Sequence, residues 1–156
     1  MTVDRPPLRA SLAALLLLGC LLLCAGAGAA NAAELVAIVS AKSPVTALRP
    51  AQVADIFLAQ TGRFPDGEPA VALDLPLGSP LRNAFYSQMA GKSPAMMKAY
   101  WTKMVFTGRG QPPRELANSA AVRRMVADNP SMIGYIDRAA LDSSVRAVAA
   151  PLRVAR

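Results

Sequence analysis

The 156-residue chain contains no histidine, and its two cysteines, Cys20 and Cys24, both lie close to the N-terminus. The absence of histidine removes the commonest general base and a frequent metal ligand. The sequence has no Walker loop, no dinucleotide-binding glycine fingerprint and no complete G-x-S-x-G elbow. Asp66 and Glu68 are close together, but "PDGEP" is typical of a turn. We therefore predict a protein that is not an enzyme and that uses neither a metal nor a cofactor.

Aromatic residues are also scarce, at 5% of the chain, with one tryptophan and three tyrosines. The formal charge is +7, but beyond residue 32 the basic residues are scattered from Lys42 to Arg156 rather than clustered. Few stacking side chains and no basic cluster argue against nucleic-acid binding. A basic domain, if it is exported, suits small anionic solutes or an anionic membrane or wall surface.

The N-terminal segment has the pattern of a secretory signal peptide. Arg5 and Arg9 precede an apolar run over residues 12–23, and Ala30-Asn31-Ala32 fits an A-x-A cleavage site. We predict that residues 1–32 are the signal peptide, so that the protein is periplasmic.

Two alternatives to cleavage remain. The apolar run is nearly long enough to be an uncleaved membrane anchor. A lipoprotein attached at Cys20 is less well supported, because apolar residues follow that cysteine. With cleavage, residues 33–156 form one domain of ordinary size that has no cysteine and must be stabilised by packing alone.

Apolar runs alternate with segments of helical periodicity, which predicts an α/β domain. We expect strands at 34–40, 70–75, 132–137 and 145–150, and helices at 50–60, 80–90, 94–106 and 119–128.

Two helices are predicted to begin at Ser-Pro pairs, Ser79-Pro80 and Ser93-Pro94. The first follows a strand and Gly78, so its backbone N–H groups could bind an anion. Ser79, these N–H groups and Arg82 could together hold an oxyanion. The alternative is that Ser79 only caps the helix and that Arg82 is solvated.

Two further loops are weaker candidates for ligand binding. Glycines flank Arg109 in "TGRGQPP", which would expose its guanidinium on a flexible loop. Ser43 follows the first strand, at the carboxyl end where α/β sheets usually bind ligands. Both loops could equally be plain connectors.

Helix 94–106 has a row of methionine and aromatic residues at helical spacing. The row is Met97, Tyr100, Trp101, Met104 and Val105. Such a row usually packs into the core, so we predict no ligand role for it.

Three segments resemble the phosphate ABC transporter substrate-binding family of the type II periplasmic binding proteins. They are "LRPAQVADIFLAQTGRF", "LDLPLGSPLRNAFY", which lies where the family has its phosphate turn, and "NPSMIGYID". We take the resemblance to cover about residues 36–137. The resemblance implies a single lobe of a binding protein, with a small mixed sheet flanked by helices, because the family's N-terminal lobe is missing.

The resemblance also implies a function, which is non-catalytic binding of a small oxyanion, phosphate first, for uptake or sensing. Gly78 and Ser79 match the family's turn, whereas Arg82 belongs to our own analysis of the residues. Asp74 lies near where an arginine is expected, and its charge would repel phosphate unless it accepts a hydrogen bond from a protonated oxygen. The alternative is a degenerate lobe that docks on a membrane permease or sensor.

Overall fold

The computed structural model describes residues 34–153 and confirms the predicted α/β class. A mixed sheet is flanked by four α-helices in this range. The predicted signal peptide lies outside the described residues. Within residues 34–153 no helix combines the length and hydrophobicity needed to cross a bilayer.

The sheet contains parallel and antiparallel pairs. Its order is β3-β2-β4-β1-β5, and β6 also pairs with β1. β2 runs parallel to β3 and β4, while β1 is antiparallel to β4, β5 and β6. The strands are β1 Glu34–Ser40, β2 Val71–Asp74, β3 Arg114–Glu115, β4 Met132–Asp137, β5 Val145–Ala147 and β6 Leu152–Arg153.

Each helix begins where the sequence supplies a start signal. The hydroxyls of Ser79 and Ser93 accept hydrogen bonds from the N–H groups of Arg82 and Met96, and a proline follows each serine. The helices are α1 Pro50–Phe57, α2 Pro80–Ala90, α3 Pro94–Phe106 and α4 Ser119–Asp128.

Three aromatic rings join α1 and α2 to the centre of the sheet. Phe85 of α2 stacks on Tyr135 of β4, with ring centroids 3.9 Å apart and planes 5° from parallel. Phe57 of α1 packs edge-on against Phe85 at 4.7 Å. All three side chains are buried. This packing holds α1 and α2 against β4 at the centre of the sheet.

The fold differs from the sequence-based expectations in several places, and β5 ends at Ala147 rather than at residue 150. The first helix ends at Phe57 rather than near residue 60. β3 lies in a segment predicted to be loop, and β6 was not predicted. Val105, which we expected in the core, is 46% exposed. The short strands exist because they pair with distant strands, which local periodicity does not reveal.

Candidate functional site

A buried carboxylate, Asp74, lies at the end of β2 and accepts hydrogen bonds from four donors. Its Oδ2 accepts from Arg82 Nε at 3.0 Å and from Tyr86 Oη at 2.9 Å. Its Oδ1 accepts from the Leu75 N–H at 2.8 Å and from Tyr135 Oη. Asp74 is 1% exposed and Arg82 is 4% exposed. The four bonds compensate for removing this charge from water.

The electrostatics of the cluster keep Arg82 charged and both tyrosines neutral. Burial raises the pKa of Tyr86 and of Tyr135, and the neighbouring Asp74 carboxylate raises both further. Burial by itself would lower the pKa of Arg82, but Asp74 outweighs it, so that pKa is raised. Both tyrosines therefore keep the protons that they donate to Asp74.

This cluster changes the expectations for Asp74 and Arg82. Because four protein donors occupy Asp74, the carboxylate does not have to accept from a protonated ligand oxygen. Arg82 is not solvated, so the alternative in which it points into water is wrong. Its Nη1 and Nη2 form no hydrogen bond within residues 34–153, and its anion-binding role stays a prediction.

The turn before α2 is shaped by Gly78. This residue has a φ of +84°, which favours glycine, and the Ser79 N–H donates to the Pro76 carbonyl at 3.0 Å. Ser79 Oγ accepts from the Arg82 N–H at 3.4 Å, so the predicted cap is confirmed. Of the N–H groups in the first turn of α2, that of Leu81 has no acceptor in the described range.

Residues at the starts of α2 and α4 line one open cleft of about 580 Å³. We call it the two-helix cleft; its lining includes Ser79, Leu81, Asn118, Ser119, Ala120 and Asp137. Asn118 caps α4 by accepting from the Ala121 N–H at 3.0 Å. The N–H groups of Ser119 and Ala120 have no acceptor among residues 34–153. Three unpaired N–H groups from two helix starts thus belong to residues around one cleft.

One acidic side chain, Asp137, lines the same cleft as the positively polarised N-termini of the two helices. Its Oδ1 accepts from the Ala139 N–H at 2.9 Å, and its own N–H donates to Ser119 Oγ at 3.1 Å. An anion in the cleft would therefore lie near two hydroxyls, on Ser79 and Ser119, and near one carboxylate. A carboxylate only accepts hydrogen bonds at neutral pH, so this arrangement favours an anion that carries a proton.

The structure separates the predicted site residues instead of bringing them together. Gly78 and Arg82 line a different depression, of about 780 Å³, along α3. We call it the α3 groove; its lining includes Leu77, Met97, Lys98, Trp101, Val105, Phe106 and Glu115. Ser79 lines the two-helix cleft instead. The predicted site is therefore divided between two surfaces.

Arg109 and Ser43 line neither of these depressions. Arg109 is exposed, and its N–H donates to the Met104 carbonyl at 2.9 Å at the end of α3. Ser43 is buried, and its Oγ accepts from the Val45 N–H at 3.2 Å. The structure gives Ser43 a role in shaping its turn, and ligand binding by either residue stays a prediction.

Sequence reasoning missed Asn118, Ser119 and the two tyrosines. Asn118 before a helical segment is the same N-cap signal as Ser79, so this helix start could have been found. Tyr86 follows Arg82 by four residues, which places both on one face of α2. Nothing local to Tyr135 indicates that its hydroxyl reaches Asp74.

No protein-family model matches the chain, and no curated protein matches it. Solved structures do match. A phosphate ABC transporter substrate-binding protein with bound phosphate from Clostridium perfringens has a TM-score of 0.58 at 24% identity, over 74% of this chain and 45% of that one. An ABC-type phosphate transport receptor from Vibrio cholerae has a TM-score of 0.58 at 20% identity, over 74% and 46%. A possible phosphate binding protein from Planctomyces limnophilus has a TM-score of 0.56 at 16% identity, over 76% and 43%.

These comparisons define the class of fold, which is that of a periplasmic binding protein-like lobe. More particularly, the fold is similar to part of the phosphate ABC transporter substrate-binding proteins, as the sequence resemblance predicted. The chain spans less than half the length of each solved structure. At these identities the likeness concerns the fold.

Proposed function

We propose that this chain is an exported, non-catalytic binding domain for a small oxyanion, with phosphate as its ligand. The observation that carries the proposal is the convergence of the α2 and α4 N-termini on the two-helix cleft. Helix N-termini attract anions through their unpaired N–H groups and their dipoles. The similar protein from Clostridium perfringens contains bound phosphate, which supports the choice of ligand.

The residues of the cleft suggest how the ligand would be held. The N–H groups of Leu81, Ser119 and Ala120 would donate to phosphate oxygens, and the Ser79 hydroxyl would add a further contact. Asp137 would accept from the proton of hydrogen phosphate, which sulfate lacks at neutral pH. Such a domain would deliver phosphate to a membrane permease or report it to a sensor.

Thermal unfolding of the purified protein tests this function. A ligand that binds only the folded state at 100 times its Kd adds roughly 2.7 kcal/mol to the free energy of unfolding. We expect millimolar phosphate to raise Tm, and sulfate or matched sodium chloride to raise it less. An equal rise with each salt would argue against a phosphate site.

The two Ser-Pro helix starts supply a matched pair of variants. Ser79→Asp keeps a good N-cap but places a negative charge at the two-helix cleft, so it should abolish the phosphate-dependent rise. Ser93→Asp makes the same change at the start of α3, where the equivalent cap accepts from Met96, and should leave the rise intact. Loss of the rise in both variants would indicate a general effect of charge and contradict the proposed site.

A second candidate is an interaction module for a membrane-bound transport or sensor component. One observation favours it: large apolar side chains along α3, including Val105 and Phe106, are exposed. An open single lobe would also leave a bound anion half exposed. If phosphate has no specific effect on Tm, this candidate becomes the leading one.

A further inference from the structure

The α3 groove has apolar walls that the fold leaves in solvent. Phe106 is 92% exposed, Leu77 is 73% exposed and Val105 is 46% exposed, and all three line the groove. Trp101 and Met97, which are buried, complete the apolar lining. Contiguous exposed apolar surface of this kind marks interaction sites in soluble proteins.

The same part of the chain is basic, and among its lysines and arginines Arg82 is already paired with Asp74. Residues 75–114 contain no aspartate or glutamate but six lysines and arginines. Lys98 lies in the groove, and Lys103 is further along the same helix. Neither lysine forms an ion pair within residues 34–153. Glu115 is the one acidic side chain that lines the groove and it offsets one charge there. It is the surface along α3, with both Lys98 and Lys103, that is complementary to negative charge.

The shape and charge of the groove distinguish among its possible occupants. A small ligand would not cover Phe106, which is almost fully exposed at the groove's edge. A flat membrane surface fits a concave groove poorly. In a symmetric pair of chains the same surface, with Lys98 and Lys103, would lie on both sides of the interface, and like charges repel. An apolar polypeptide segment with acidic neighbours satisfies both the apolar walls and the lysines.

We propose that the α3 groove docks an amphipathic helix of a partner protein, whose apolar face is flanked by aspartate or glutamate. Phe106, Leu77 and Val105 would contact the apolar face, as in other helix-in-groove interfaces. Lys98 would pair with an acidic residue at the edge of the helix. This inference rests on the second candidate function, whose partner it describes, and it is independent of phosphate binding.

The chain's single tryptophan reports directly on the groove. Because Trp101 lines it, an occupant should change the wavelength or intensity of Trp101 emission. The probe is a tryptophan-free, 18-residue helical peptide with leucine on one face and glutamate on its flanks. Its matched control carries lysine in place of every glutamate. We expect saturable binding of the acidic peptide that weakens with added salt, and no binding of the lysine peptide.

Paired variants test whether the acidic peptide binds in the α3 groove. Phe106→Ser should weaken acidic-peptide binding at least about tenfold, since exposed aromatic anchors dominate interfaces. Met96→Ser removes a similarly apolar, half-exposed side chain of α3 that does not line the groove, and should leave binding unchanged. Lys98→Glu should weaken binding, whereas Arg124→Glu, which changes the net charge equally on α4, should have little effect.

Several results would overturn the proposal. These are no acidic-peptide binding at millimolar concentration, equal binding of both peptides, or equal losses in Phe106→Ser and Met96→Ser. Self-association that Phe106→Ser abolishes, measured by sedimentation, would assign the groove to a second copy. Binding to phosphatidylglycerol vesicles without peptide binding would assign it to a membrane. Because Ser79→Asp changes the cleft and Phe106→Ser the groove, failure of the phosphate assay and failure of the peptide assay are distinguishable.

Discussion

Arg82 Nε lies 3.0 Å from Asp74 Oδ2, and the two side chains are 5% and 1% exposed. The pair joins the end of β2 to the first turn of α2, eight residues later in the chain. Its burial means that its main contribution is structural: it fixes the turn that contains Ser79. Substitutions in this pair should therefore change stability before they change ligand binding.

Arg82→Ala should lower the free energy of unfolding by about 3–5 kcal/mol, because it leaves Asp74 buried without its cation. Urea denaturation measures the loss. The matched control is Arg123→Ala, which breaks a pair of the same length, 3.0 Å, with the much more exposed Asp142. That variant should change stability little, because water screens the pair. Similar losses in both variants would contradict a special role for the buried pair.

Each tyrosine hydroxyl on Asp74 should contribute measurably to stability. Tyr86→Phe should cost about 1.5–3 kcal/mol, the usual range for a hydrogen bond to a charged group. Tyr135→Phe should cost more, because Tyr135 Oη also accepts from the Leu75 N–H at 3.3 Å. Denaturation of both variants at pH 7 makes the comparison, and the reverse order would count against the described network.

Stability should fall above pH 10. The pKa values of Tyr86 and Tyr135 are raised in the folded protein, so their stabilisation is complete below the unfolded-state value near 10. As pH rises above that value, the unfolded chain releases tyrosine protons that the folded chain retains. The free energy of unfolding should therefore decrease with pH in this range. Tyr86→Phe removes one such group, so it should make that decrease less steep by up to about 1.4 kcal/mol per pH unit. Equal slopes for wild type and variant between pH 10 and 12 would exclude this linkage.

Gly134→Ala should destabilise the protein by about 1–3 kcal/mol through overpacking. An added methyl group would overlap Val122 Cγ1 and lie 3.3 Å from Val126 Cγ2, where α4 packs on β4. Adding Val122→Ala should recover part of the loss, so the double variant should cost less than the sum of the single ones. Gly62→Ala is the control, since nothing lies within 4 Å of its added methyl group.

Asp137→Asn should reduce the preference for phosphate over sulfate. The amide can donate as well as accept, so an anion without a proton is no longer disfavoured. Tm shifts with phosphate and with sulfate, measured side by side, give the preference. A preference that survives the substitution would place the anion away from the two-helix cleft.

Local signals in the sequence predicted most of the fold. The buried runs of β1 and β4 are continuous apolar stretches, and the serine caps with following prolines mark the starts of α2 and α3. β3 and β6 could not be predicted, because two-residue strands have no periodicity and exist only by pairing with β2 and β1. The end of α1 was placed too late because Leu58, Ala59 and Gln60 continue a helical composition.

By itself, the sequence determined which residues begin the helices, because capping acts between neighbours only a few residues apart. It also determined the basic character of residues 75–114 and the lack of histidine. Only the tertiary structure decided that Arg82 pairs with Asp74, that Ser79 and Ser119 share one cleft, and that Phe106 stays exposed. These relationships depend on how β2, α2, α3 and α4 pack in space, and residues that are distant in sequence carry no local signal of that packing.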